Sequence, residues 1–263
     1  METGLKGRVA IVAAASGGLG LATAKGLAAE GVRLAICSRD PRRIQDAANQ
    51  IRQNYQVEVQ AQAVDVGNYQ AVQNFVRATA EQFGAIHICI TNAGGPPAKG
   101  FLSTTIEEWR RAVDLNFLSV VCFAKEVIPY MQRQHWGRLI TITSVSVKQP
   151  VPDLVYSNAV RTAVVGLVKS LALEFGKDGI LVNNVAPGFT ATARLKELAA
   201  VRASAAGVSE EEIFQRWAAD TALKRVGTPE ELADAIVWLA SDRASNITGQ
   251  TILVEGGSYK GTM

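Results

Sequence analysis

Short apolar runs, each closed by glycine, proline or a polar residue, alternate along this chain with longer amphipathic segments. Residues 8–14, 33–38, 57–64, 86–91, 138–143, 180–185 and 251–255 are too short for surface helices and almost continuously apolar, which predicts seven buried strands. Between them, residues 19–30, 41–54, 69–83, 105–134, 157–175 and 229–240 read as helices. The 105–134 segment is expected to be interrupted near Asn116 and Pro129, and a more polar helical stretch runs over 194–220. Strands buried on both faces and separated by helices build parallel sheets. The pattern therefore predicts an α/β fold, a Rossmann-type doubly wound seven-stranded parallel sheet with helices on both faces.

The composition narrows the class. The chain has 263 residues, of which 48% are hydrophobic, and no linker, repeat or low-complexity segment divides it. A net charge of +3, from 27 basic and 24 acidic residues, is too small and too dispersed to argue for nucleic acid or a membrane surface as partner. No apolar run reaches membrane-spanning length and no apolar leader precedes the first strand, so the cytoplasm is the default location. Cys37, Cys89 and Cys122 are scattered in apolar runs, read as buried hydrophobes, and form neither a disulfide framework nor a metal site.

The first strand runs directly into Ala14-Ala-Ser16-Gly17-Gly18-Leu19-Gly20. Backbone N–H groups in such a turn, leading into a helix N-terminus, form a seat for a pyrophosphate, and glycines let the backbone approach it. Strand two ends at Ser38-Arg39. An acidic residue there would bind ribose hydroxyls and favour NAD; a guanidinium instead pairs with a 2′-phosphate and stacks on adenine, pointing to NADP(H). Arg42 and Arg43 read as a solvated helix face from which either could assist.

The glycine turn is followed in order by Asp65-Val66, Thr91-Asn92-Ala93-Gly94, Asn116, Ser144 and Pro187-Gly188. This ordered set, over about residues 5–257, resembles the classical short-chain dehydrogenases/reductases and is similar to their 3-oxoacyl-ACP reductase branch. The resemblance implies that residues 1–263 form one dinucleotide-binding domain with a substrate lid at about 193–225. It implies that Asp65 and Val66 meet the adenine, that Asn92, Ala93 and Gly94 line the cofactor, and that Pro187, Gly188, Thr190 and Thr192 touch the nicotinamide. It also implies a homotetramer assembled through helices at about 105–134 and 157–175. The family pattern is Thr-Gly-x-x-x-Gly-x-Gly, and Ala14 stands at its first glycine; alanine is tolerable there if its φ stays negative.

In that family a tyrosine donates the proton to the carbonyl oxygen, and a lysine four residues later lowers its pKa and binds the nicotinamide ribose. A serine polarises the carbonyl and an asparagine supports the lysine. Ser144 and Asn116 stand in place here. Read from Tyr156, however, the lysine position holds Val160. The usual spacing from Ser144, and the downstream run from Arg161 to Ala172, both put Ser157 at the tyrosine position and Arg161 at the lysine position. Tyr156 is one residue early, a rotation of about 100° that turns it away from Arg161 if the helix has begun there; from an entry turn its side chain would still reach the pocket as proton donor. Arg161 keeps the charge and the ribose donors, with a pKa expected above about 12. The leading expectation is an NADP(H)-dependent oxidoreductase acting on a small-molecule carbonyl or alcohol with an altered proton donor. An NADP(H)-holding pseudoenzyme with a regulatory or partner role, and a non-redox isomerase or lyase, are the alternatives.

Overall fold

A computed structural model of the chain describes residues 2–262. Seven parallel strands form one sheet: β1 (Val9–Ala13), β2 (Arg33–Ser38), β3 (Val59–Ala63), β4 (Ile88–Thr91), β5 (Gly137–Ile142), β6 (Ile180–Pro187) and β7 (Thr251–Val254). Their order across the sheet is β3-β2-β1-β4-β5-β6-β7. The connection direction reverses between β1 and β4, so a crevice opens at the carboxyl ends of these strands, where doubly wound sheets bind ligands.

The helices are α1 (Gly18–Ala29), α2 (Pro41–Tyr55), α3 (Tyr69–Phe83), α4 (Ile106–Val113), α5 (Ser119–Arg133), α6 (Val155–Phe175), α7 (Ala193–Ala206), α8 (Glu210–Asp220) and α9 (Pro229–Ala240). Two apolar cores sandwich the sheet. Leu27, Ile44, Ile51, Ile236 and Leu239 bury one face under α1, α2 and α9. Phe75, Phe123, Val127, Val164 and Val168 bury the other under α3, α5 and α6. The central strands β1, β2 and β4 are covered on both faces, which is why they read as apolar runs, while the edge strand β3 alternates with Gln60 and Gln62.

The predicted helix at 105–134 is interrupted once. Residues Asp114–Leu118 form a π-helical turn around Asn116. Pro129, where a second interruption was expected, lies inside α5. It sits on the exposed side, as does Lys125 four residues earlier, so the carbonyl deprived of its donor faces water, while Val127, Ile128 and Met131 anchor the helix in the core. The stretch 194–220 is two helices, broken at Gly207 with φ 66°. Leu195, Leu198 and Trp217 bury one another there, and Phe189 stacks on Trp217 at 4.8 Å. Phe214 packs edge-on against Trp217, and Leu223 is exposed. Most apolar residues of this segment thus hold its two helices together. No helix among the described residues is long and apolar enough to cross a membrane.

Candidate active site

The chain leaves β1 at Ala13, turns through residues 14–17 and enters α1. Gly18 has φ 53°. A Cβ on Gly20 would strike the Ala14 carbonyl, so helix and turn pack closer than any side chain allows. Ala14 itself has φ 50°, contrary to the expectation of a negative value. Its amide neighbour Ala15 N–H donates to the Cys37 carbonyl at 3.0 Å, and this link to β2 holds the turn in the left-handed conformation despite the methyl group. Thr192 packs against Gly18 from above: its methyl lies 3.5 Å from where a Gly18 Cβ would stand. The 187–192 segment therefore covers the turn. Across the crevice, a Cβ on Gly94 would meet nothing within 4 Å, so the loop of Asn92, Ala93 and Gly94 borders open space. A backbone cradle bounded by close-packed glycines on one side and open above Gly94 on the other fits a dinucleotide.

At the adenosine end, Ser38 is buried and its hydroxyl donates to the Asp40 carbonyl at 3.3 Å. Arg39 is exposed and has no carboxylate partner among the described residues. The Asp40 carboxylate caps α2, accepting from the Arg43 N–H at 3.0 Å. The Arg43 guanidinium bends back over the glycine turn. Its Nη2 lies 3.3 Å from where a Gly17 Cβ would stand. Asp65 Oδ1 accepts from the Gly67 N–H at 3.0 Å and so shapes the turn after β3, while Val66 is buried.

At the other end, the π-helical turn carries Asn116 into the crevice. Its Nδ2 donates to the Gly94 carbonyl at 3.0 Å, and its Oδ1 is buried without a donor among the described residues. The hydroxyls of Thr91, Thr143 and Ser146 are likewise buried and unpartnered. Buried polar atoms without partners are rare, and four of the six among the described residues gather at the carboxyl ends of the central strands β4 and β5; the other two, Gln60 Oε1 and Arg138 Nε, lie elsewhere. Ser144 begins a short 3-10 turn after β5 and accepts the Ser146 N–H at 3.1 Å. α6 packs on both this turn and the π-helical turn. It thereby brings Ser157 and Arg161, neighbours on one helix face, to the same place as Ser144 and Asn116.

Arg161 is 8% exposed. Its Nη1 donates to the carbonyls of Ile142 and Thr143, both at 3.3 Å, and it has no carboxylate partner among the described residues. Burial, and then the charge of Arg194, bring its pKa down to about 10, below the value expected from sequence. It remains a cation at neutral pH.

Tyr156 is elsewhere. α6 begins at Val155, before the predicted start at 157, so Tyr156 is already helical and the one-residue offset turns it by the full helical step of about 100°. The ring has 0% exposure and packs edge-on against Trp109 at 4.8 Å, with Ala112 and Val160 around it. Its hydroxyl donates to Glu108 Oε2 at 2.6 Å. Burial and this hydrogen bond raise its pKa, the reverse of what a proton donor needs. The lysine and asparagine of the expected site have counterparts in the pocket; the tyrosine does not.

Glu108 was not singled out from sequence. It closes a capping box with Thr105 at the start of α4, and its Oε1 pairs with Lys99 Nζ at 2.6 Å. Lys99 first and Tyr156 second hold its carboxyl at about 2. The Thr105-x-x-Glu108 spacing was the available signal. Arg194 was also missed: its Nη2 donates to the Pro96 carbonyl at 2.7 Å and ties α7 to the loop after β4. Cys37 is buried, with its thiol pushed up to about 12, and Cys89 is buried with its thiol raised further; neither is poised to react.

A sequence model of the family described as enoyl-(acyl carrier protein) reductase matches residues 13–259. The 3-oxoacyl-[acyl-carrier-protein] reductase of Synechocystis sp. is 35% identical over 257 residues, 97% of this chain and 98% of its own length. The L-sorbose reductase of Gluconobacter frateurii, solved with NADPH and L-sorbose, superposes with a TM-score of 0.95 at 30% identity, covering 99% of this chain and 100% of that one. An NADPH-bound short chain oxidoreductase from Pseudomonas aeruginosa PAO1, described as containing an atypical catalytic center, superposes with a TM-score of 0.90 at 30% identity, covering 99% and 100%. Fold, glycine turn, strand order and these likenesses agree, and the chain belongs to the classical short-chain dehydrogenase/reductase family of oxidoreductases.

Proposed function

We propose that this protein is an NADP(H)-dependent carbonyl reductase that works without a tyrosine proton donor. The observation that carries the reading is the division of roles on α6. Arg161 is buried beside the backbone that leads into Ser144, while Tyr156 is bonded to Glu108 on another face. NADPH, when bound, supplies a hydride to the carbonyl carbon. The residues that would hold it are the 14–20 turn, Arg39, Asn92 to Gly94, the 187–192 segment and Arg161.

Ser144 donates a hydrogen bond to the substrate oxygen and polarises the carbonyl. Arg161 lies on the same side with a fixed positive charge. Charge that develops on the oxygen is stabilised by such a cation in a low-dielectric site. Water supplies the proton that completes the alcohol, because a cation at about 10 keeps its own proton at neutral pH. Asn116, locked to Gly94, holds its free Oδ1 toward the same region. Relatives described with NADPH support the cofactor, and one described as having an atypical catalytic center supports tolerance of the scaffold for a departure of this kind. The same reading gives the exposed Leu118 and Leu173, at α5 and α6, to contacts between copies in a homotetramer.

The test is NADPH oxidation across a panel of small ketones and 3-oxoacyl thioesters. Ser144→Ala is expected to lower kcat about 10²-fold or more, the scale for loss of one donor to a developing oxyanion. Arg161→Ala is expected to lower kcat and weaken NADPH binding together. Firm NADPH binding with no turnover of any carbonyl would identify a binding protein instead.

A further inference from the structure

A cleft of about 450 Å³ lies away from the catalytic end. It opens between the glycine turn and α2, lined by Ser16, Leu21, Arg43, Asp46 and Gln50 among others. Arg43, Asp46, Ala47 and Gln50 are on one face of α2, so this face turns toward the turn that follows β1. Arg43 is the residue that reaches furthest. Its Nη2 stands over Gly17, whose φ of 176° any residue adopts; what a side chain at 17 would contest is the space the guanidinium occupies.

Charge bookkeeping on α2 gives the second observation. Elsewhere in the chain, Arg194, Arg216 and Arg225 each pair with a nearby glutamate. Arg39, just before α2, and Arg43, in its first turn, have no carboxylate partner among the described residues. Asp40, between them in sequence, has turned its Oδ1 to the α2 N-terminus. The Arg43 guanidinium is thus held without a counter-charge at a cleft edge that also carries Ser16, and Arg39 stands exposed four residues earlier. A dianion is the ligand that satisfies them.

The geometry points to Arg43 as a second clamp on the 2′-phosphate of NADP(H), acting with Arg39 and giving the protein its discrimination against NAD(H). This rests on the cofactor reading above and is independent of how the proton is delivered. The phosphate sits at the Ser16 end of the cleft, because Asp46 carries a negative charge further along the same face.

Calorimetric titration of the intact protein with adenosine 2′,5′-bisphosphate, AMP, NADPH and NADH tests it. Arg43→Ala is expected to weaken the bisphosphate and NADPH by about tenfold or more, the scale of a lost hydrogen bond between charged groups, and to leave AMP and NADH within about twofold. Arg42→Ala, which removes the same charge from the neighbouring position, is expected to leave all four within about twofold. Equal weakening of AMP and the bisphosphate, or no change in either, would overturn the role of Arg43. An equal loss in Arg42→Ala would reduce it to general charge attraction and overturn it as well. A wild-type protein that binds NADH more tightly than NADPH would overturn the cofactor reading itself.

Discussion

Replacing Tyr156 with phenylalanine separates two accounts of this site. A positioned general acid contributes about 10²–10⁴-fold to the rate, so removal of a true donor would be obvious. In this fold the lost hydroxyl is the one that donates to Glu108 at 2.6 Å. Its removal leaves Glu108 still paired with Lys99 at 2.6 Å and still accepting from the Thr105 N–H at 3.1 Å, so no buried charge is stranded. The ring keeps its edge contact with Trp109. The effect should therefore be thermal and small, a fall in Tm of roughly 2–6 °C, from loss of one hydrogen bond to a charged group in a chain of this size. kcat should stay within about threefold, far from the general-acid range.

Circular dichroism melts and NADPH-oxidation rates on the same preparations measure both quantities. The pH profile adds a third readout. The wild-type kcat should hold through neutrality and decline only as pH rises toward about 10, where Arg161 loses its charge. The Tyr156→Phe profile should have the same shape. A loss of 10²-fold or more in kcat, with Tm and NADPH affinity unchanged, would refute the assignment and return the phenol to the pocket.

Two further outcomes follow from the same geometry. Ala14→Gly should raise stability by roughly 0.5–1 kcal/mol, because left-handed strain of about 1–2 kcal/mol is relieved against about 0.5–1 kcal/mol of added chain entropy; a lower Tm would show that Ala14 at φ 50° is unstrained. Glu108 has its pKa depressed from 4.5 to about 2, so its contribution is present above 4.5 and is lost as pH falls through 2. Melts of wild type and Glu108→Gln between pH 5 and 2 should converge, and parallel curves would remove Glu108 from the tie between Lys99 and Tyr156.

Much of the fold was legible because the central strands are buried on both faces and most helices on one. Periodicity alone then separates them, and α3 and α9 begin and end where the pattern predicted. The break at Asn116 was legible as a place but not as a π-helical turn, since the extra residue per turn is set by what Asn116 must reach. Leu195, Leu198 and Trp217 lie on two adjacent helices, and apolar residues so placed are able to bury each other, as they do here. Glu108, Lys99 and Arg194 were illegible as a group. Their partners lie on other elements, and no spacing rule links Lys99 to Tyr156.

The offset of Tyr156 and the arginine at 161 have one physical logic. A lysine below a catalytic tyrosine serves two ends: it lowers the phenol pKa and it binds ribose. With Ser157 at the tyrosine position there is no phenol to acidify, and only a cation with several donors is required. Arginine meets that need better than lysine in a buried position, because its planar fork spends one nitrogen on the carbonyls of Ile142 and Thr143 and keeps others for ligands. The phenol of Tyr156, turned through about one helical step, meets a carboxylate rather than a cation, and that partner raises its pKa where a lysine would lower it. On the proposed reading, chemistry and packing are divided between adjacent residues of one helix. A reductase built this way would depend on Ser144 and on fixed charge at Arg161, and its rate should respond to changes at those two side chains far more than to any change at its only tyrosine on α6.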